Sequence, residues 1–173
     1  MSTNAKKVND SRTTMTELVM PNDTNPLGNL MGGNLMRWMD IAAAVCAGRH
    51  CESHVVTVSV DYVSFKKGIP MGSVVTLSAC VTRAFNTSVE VYVEVFSANM
   101  KGGDEQKCND AYLTFVAIDE NTRTPVHIPA VLPLAESELQ RYELAQQRRE
   151  LRLLLSGRLK PEDADGIRAL FGK

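Results

Sequence analysis

Membrane-length apolar runs, nucleotide fingerprints and paired-cysteine motifs are all missing from this 173-residue chain. No apolar stretch is long enough to span a bilayer, so an integral helical membrane protein is excluded. The N-terminal MSTNAKKVNDSRTT is polar and lacks the apolar core of a signal peptide. There is no GxSxG, no phosphate-binding loop and no dinucleotide motif. A net charge of −1 gives no electrostatic case for a nucleic-acid partner or an anionic membrane. The three histidines, His50, His54 and His127, are too few and too scattered for a zinc site, so no metal and no cofactor is expected. The four cysteines, at 46, 51, 80 and 108, show no CxxC spacing and are read as reduced packing residues of a cytoplasmic protein.

What is present begins with one stretch. Asn25, Pro26 and Gly28 make a turn. Gly32 and Gly33 then bring bare backbone N–H groups to the start of a helix. From Asn34 to about Ala47 nearly every residue is apolar, which predicts a buried helix ending near Gly48. Arg37 and Asp40 interrupt it. Two readings of Asp40 stand side by side. It forms an intrahelical pair with Arg37 at i,i+3, or it is a poised carboxylate in a water-poor site. A glycine-rich helix start nearby offers N–H donors and a positive dipole end. A base and an oxyanion site on one short element is what acyl transfer needs.

Residues 1–12 are polar and are read as disordered. Residues 13–20 are β-rich and stop at Pro21. Residues 49–54 read as a polar link. Alternation then predicts strands over 55–65, 74–85, 88–97 and 107–118. In the first of these Val56, Val58, Val60 and Tyr62 share one face. Val75, Leu77, Ala79 and Val81 share a face of the next, and Val89, Val91, Val93 and Val95 of the third. Glu90 and Glu94 fall on the polar face and read as solvated or interfacial. Short connections imply an antiparallel sheet of about five strands, hence an α+β domain over 13–133. Residues 134–173 are charged and read as a helical extension. Ser137-x-x-Gln140 has the spacing of a capping box, and Pro161 opens a second short helix. This tail is read as a solvated arm or as an oligomer brace.

The turn 23–33, the helix piece Leu35-Met-Arg-Trp-Met-Asp40, the strand Val55-Val-Thr-Val-Ser-Val-Asp61, and the segments 87–95 and 111–119 resemble hotdog-fold acyl-CoA thioesterases. The resemblance covers roughly residues 12–133 and rests on several motifs in order. It implies a hotdog fold, a long helix wrapped by an antiparallel sheet, and hydrolysis of acyl-CoA to a carboxylic acid and CoA. It implies Asn25 and Asp40 as catalytic residues from opposite protomers, with Asp40 as general base or nucleophile and Gly32 and Gly33 at the thioester oxygen. It puts the pantetheine arm along Thr57, Phe65, Asn86, Thr87 and Ser88; Lys66 and Lys67 are read as phosphate contacts. It implies a homodimer, further assembled as a trimer of dimers. CoA is then part of substrate and product. Among competitors, a hotdog dehydratase needs a central-helix histidine, and none lies between Asn25 and Gly48. An acyl-CoA-binding regulatory module calls for a basic DNA-binding segment, and the twelve polar residues ahead of the domain are read as too few. Hydrolysis of an acyl-carrier-protein thioester stays open.

Overall fold

The computed structural model describes residues 5–103 and 105–171. Two compact units are present, residues 1–132 and 133–173. The first unit is built on one helix and one sheet. The order is β1 (Lys6–Lys7), α1 (Val8–Ser11), β2 (Thr13–Leu18), α2 (Gly32–Cys51), β3 (His54–Phe65), β4 (Ser73–Ala84), β5 (Ser88–Asn99), β6 (Gln106–Ile118) and β7 (Val131–Leu132). Five strands form one antiparallel sheet in the order β2-β4-β5-β6-β3, so β3 is an edge. β1 and β7 pair in parallel as a small second sheet.

Leu35, Trp38, Met39, Ala42, Ala43, Cys46, Ala47 and His50 are buried along one side of α2. That is the i, i+3, i+4, i+7 stripe of an amphipathic helix. Burying Leu35 and Met39 contributes about 2 kcal/mol each. Against it lie Val75, Leu77, Ala79 and Val81 of β4 and Val89, Val91, Val93 and Val95 of β5, all at most 1% exposed. The alternation of these two strands is as the sequence predicts.

Four local expectations change. Residues 5–12 are not disordered: Lys6 N–H donates to the Ala130 carbonyl at 2.9 Å, and Val8 and Ser11 are buried. Residues 1–4 lie outside the described residues. The helix does not stop at Gly48 but runs to Cys51, because His50 and Cys51 bury their side chains and Glu52 takes the left-handed cap (φ 52°). Nor is the helix buried all round. Met36, Ile41 and Val45 are exposed on its far side. Finally, the apolar face of β3 is split. Val56 pairs with Val116 and Val60 with Leu113, but the register slips between Thr57 and Ser59. Cross-strand partners share a face, so the bulge sends Val56 outward and Val60 toward the helix.

Glu90 is also not solvated. It is fully buried, and the Thr82 hydroxyl donates to its carboxylate. Among the described residues no helix is long and apolar enough to cross a membrane.

In the second unit, α3 (Glu136–Leu155) and α4 (Asp165–Phe171) are joined through a short turn at Pro161–Asp163. The cap of α3 is not Ser137 with Gln140. Glu138 instead receives the N–H groups of Leu134 and Ala135, two residues earlier in the chain. The unit is not a wholly solvated arm. Glu150 is buried and accepts from Ile167 N–H at 3.1 Å and from the Gln146 amide at 3.0 Å.

Candidate active site

The Asn25 side chain carbonyl accepts from the N–H groups of Leu27 (3.0 Å) and Asn29 (3.2 Å). This turn fixes the residue and commits its oxygen. The amide nitrogen has no partner among the described residues and keeps its donor capacity. The turn is stitched to the segment after β3. Leu30 N–H donates to Ile69 O at 2.7 Å, and Met71 N–H to Gly28 O at 2.9 Å. A cleft of about 200 Å³ opens there, lined by Asn25, Asn29, Leu35, Phe65, Lys66 and Lys67 among others.

The helix start lies beside that cleft. The first helical hydrogen bond is Leu35 N–H to Met31 O at 3.0 Å, and Met31 supplies no side-chain cap. The N–H groups of Gly32 and Gly33 therefore keep their donor capacity. A Cβ on Gly32 would lie 3.2 Å from the Phe65 ring; one on Gly33 would meet open space.

Asp40 is two turns further along α2 and half-buried. The Thr57 hydroxyl donates to its Oδ1 at 2.7 Å. Asp40 and Arg37 form no ion pair among the described residues, so the intrahelical pair is replaced by a bond from β3 to the helix. Oδ2 stays open. Thr57, expected along the pantetheine arm, holds this carboxylate.

The sheet register sorts the remaining candidates to two ends. Ser88 pairs with Val116, which also pairs with Val56. The Asn86-Thr87-Ser88 turn is thus level with the Thr57 end of β3. Phe65 pairs with Asn109 at the opposite end. Within one chain Asn25, Gly32, Phe65, Lys66 and Lys67 gather at one end. Asp40, Thr57 and Ser88 belong to the other, and neither Asp40 nor Thr57 lines the Asn25 cleft.

The two lysines are not bare turn residues. Lys67 Nζ donates to Gln106 Oε1 at 3.1 Å, and Lys66 Nζ stands 3.5 Å from Asp110. Lys107 Nζ binds Tyr92 OH, Glu94 and Asp110 at 2.8–2.9 Å. Burial pushes Asp110 up, but the Lys107 ammonium outweighs it and leaves the carboxyl below its ordinary value. Burial also pushes the Tyr92 phenol up to about 12. These supports were missed because alternation marks Asp110 only as a polar-face residue; its link to Lys66 is long-range. Among the described residues no cluster suited to a metal ion occurs.

The thioesterase superfamily model matches residues 27–103. An uncharacterised acyl-CoA thioester hydrolase of Bacillus subtilis, YkhA, is 38% identical over 139 residues, 80% of each chain. The chain belongs to the thioesterase superfamily. The fold of this thioesterase is the hotdog. It superposes on an apo-hexameric acyl-CoA thioesterase with a TM-score of 0.83 at 40% identity, over 87% of this chain and 97% of that one. It superposes on the acyl-CoA hydrolase of Staphylococcus aureus, solved with butyryl-CoA, CoA and CoA disulfide, with a TM-score of 0.81 at 34% identity, over 88% and 94%. The Staphylococcus aureus enzyme has also been solved with an aspartate, a threonine and an asparagine each replaced by alanine.

Proposed function

We propose that this thioesterase hydrolyses acyl-CoA, with Asp40 as general base, Thr57 as its positioning residue, and Asn25 and the Gly32-Gly33 helix start as donors to the thioester oxygen. The observation that carries the reading is the 2.7 Å bond from Thr57 to Asp40 Oδ1. It fixes the carboxylate and leaves one oxygen open to take a proton. The replaced residues of the Staphylococcus aureus enzyme support it: their separations equal those of Asn25, Asp40 and Thr57.

Asp40 Oδ2 takes a proton from water as the water oxygen attacks the thioester carbonyl carbon. Negative charge grows on the carbonyl oxygen. Backbone N–H groups at a helix start, aimed there beforehand, stabilise it by about 3 kcal/mol. The C–S bond then breaks, the CoA sulfur leaves as thiolate and is protonated, and the carboxylic acid departs. No cofactor takes part. Lys66 and Lys67 stand ready for the CoA phosphates.

The site is completed by a second copy. β3 is an edge of the sheet, and Val56, Val58 and Tyr62 on it are exposed, as are Ile41 and Val45 of the helix. Two β3 edges related by a two-fold axis run antiparallel. One protomer's Phe65 end then lies beside its partner's Thr57 end. That brings Asn25 of one chain toward Asp40 of the other. The likeness to the apo-hexameric acyl-CoA thioesterase supports assembly of such dimers into a trimer of dimers. Four free, buried cysteines accord with a cytoplasmic setting.

The test is release of free CoA thiol from acyl-CoAs of increasing length, by the wild type and by Asp40→Ala. A fall in kcat of about 100-fold or more in a folded, oligomeric variant is expected. Turnover that survives the substitution removes Asp40 from the mechanism. Wild-type turnover only on acyl-carrier-protein thioesters moves the substrate to that class.

A further inference from the structure

Asn29 lines the same cleft as Asn25, Phe65, Lys66 and Lys67. Its backbone completes the turn. The Asn29 carbonyl accepts from Asn25 N–H at 2.7 Å, and its N–H donates to Asn25 Oδ1 at 3.2 Å. Any residue supplies those two groups. Backbone angle does not call for asparagine either, since the non-glycine residues with positive φ are Glu52, Tyr62 and Arg123. The side chain is the part that needs a reason. Its amide has no hydrogen-bond partner among the described residues. It packs on Gly68. An ideal Cβ on Gly68 would lie 3.3 Å from Asn29 Cγ, 3.3 Å from Oδ1 and 3.5 Å from Nδ2. A point nearly equidistant from these three bonded atoms lies over the face of the amide, not off its edge. The glycine thus lets the amide lie flat on the loop, while Oδ1 and Nδ2 keep their hydrogen-bonding capacity. The sequence orders the cleft. Asn29 shares a hydrogen-bonded turn with Asn25, and Gly68 directly follows Lys67. Asn29 therefore stands between the asparagine end of the cleft and its cationic end.

We propose that Asn29 is a specificity-determining residue that binds the cysteamine amide of the substrate, the amide two carbons from the thioester sulfur. The inference rests on the acyl-CoA hydrolase reading, which puts the thioester at Asn25 and the CoA phosphates at Lys66 and Lys67. The arm that joins those two ends is what Asn29 meets. A cleft of about 200 Å³ is smaller than the roughly 300–1,000 Å³ of a site that encloses a whole ligand, so it takes one segment of a long one. The first polar group along the arm from the sulfur is the cysteamine amide. The class of contact follows from what the cleft already offers. Asn25 Nδ2 and the two lysines are donors, and Asn25 Oδ1 is committed to its own turn. Leu30, Leu35, Phe65 and Ile69 are apolar. Asn29 Oδ1 is the vacant side-chain acceptor of the lining. The amide N–H of the arm is the donor that matches it, and Nδ2 serves a carbonyl of the same arm. A thioester whose thiol half lacks that N–H leaves Oδ1 without its partner in the complex and is discriminated against.

The experiment compares kcat/KM for the best acyl-CoA of the chain-length panel with that for an analogue carrying the same acyl group, in which CH₂ replaces the N–H of the cysteamine amide. The wild type is expected to favour the natural ester by about tenfold. In Asn29→Leu that ratio falls to about one, because the variant has no acceptor to leave unpaired. Asn29→Ala, which is smaller, provides the same comparison if leucine cannot lie flat on Gly68. Equal wild-type kcat/KM for the two esters overturns the proposal and leaves the hydrolase reading standing. A ratio that stays near tenfold in both variants also overturns it, and makes Asn29 a residue of the turn alone. No wild-type turnover of any CoA ester in the panel sinks the hydrolase reading first and this proposal with it.

Discussion

The Phe65 ring occupies the space that a side chain on Gly32 would need, with its nearest carbon 3.2 Å from an ideal Cβ there. The glycine is required by this approach and not by backbone angle, since Gly32 is absent from the residues with positive φ. Alanine at this position therefore suits the helix and conflicts only with the ring. Gly32→Ala is expected to lower kcat by about tenfold with little change in melting temperature, because helix propensity offsets the contact by up to about 1 kcal/mol. In a Phe65→Ala background the same change costs little more. Steady-state kinetics and melting of the four proteins measure the coupling. Costs that multiply would show that the two residues act independently.

Thr57 acts through Asp40. Removing a hydrogen bond to a charged group costs about 1.5–3 kcal/mol. Thr57→Ala is accordingly expected to lower kcat by about tenfold to 100-fold with KM little changed, and Thr57→Ser to recover most of it. A loss confined to KM would return Thr57 to the pantetheine arm.

Asn25→Ala and Asp40→Ala are each expected to be inactive alone. If one chain supplies the asparagine and its partner the aspartate, mixing and re-associating the two restores one intact site per mixed dimer. Activity recovers to about a quarter of the wild type for random pairing. Recovery absent in a verified mixture would mean that each site is built within one chain.

His50 governs stability toward acid. It is fully buried in the last turn of α2, and its Nε2 lies 2.9 Å from the Pro129 carbonyl. Burial holds its pKa below the ordinary value, against the pull of that carbonyl. The unfolded chain thus binds a proton before the folded one does. Stability is full above about pH 6.5, the unfolded value, and is lost as pH falls from there toward the folded value. Melting curves from pH 7.5 to 5 are expected to show a slope that His50→Gln flattens.

A single turnover in ¹⁸O-labelled water tests for an anhydride that water opens at the Asp40 carbonyl. With water attacking directly, one labelled oxygen appears in the acid product and none in the protein. Label found in Asp40 by mass spectrometry would make the carboxylate a nucleophile.

The fold was legible where one strand faces one environment. Alternation on β4 and β5 is a direct trace of the helix they pack against. It misled on β3, because a bulge inverts faces without leaving any mark on the residue types. It misled on Glu90 as well, since a residue on a strand's polar face can be buried with its carboxylate satisfied from the neighbouring strand, here by Thr82. Asn25, Asp40 and the glycines were visible as a motif. The bond from Thr57 was not, because its two ends lie on different elements and only packing brings them within reach. Asn29 was visible only as part of the turn, because the glycine its amide lies on is distant in sequence.

The sulfur chemistry of the chain has one more consequence. The proposed reaction releases a thiol, and that thiol is in equilibrium with its own disulfide. A protein bathed in such a product risks forming mixed disulfides with it. Exchange requires a protein thiolate within reach. All four cysteines are buried, and burial pushes the Cys46 thiol up to about 12 and the Cys51 thiol up to about 11. Cys46 and Cys51 therefore stay protonated and out of contact, and these two sulfurs are poor partners for the thiol the reaction makes.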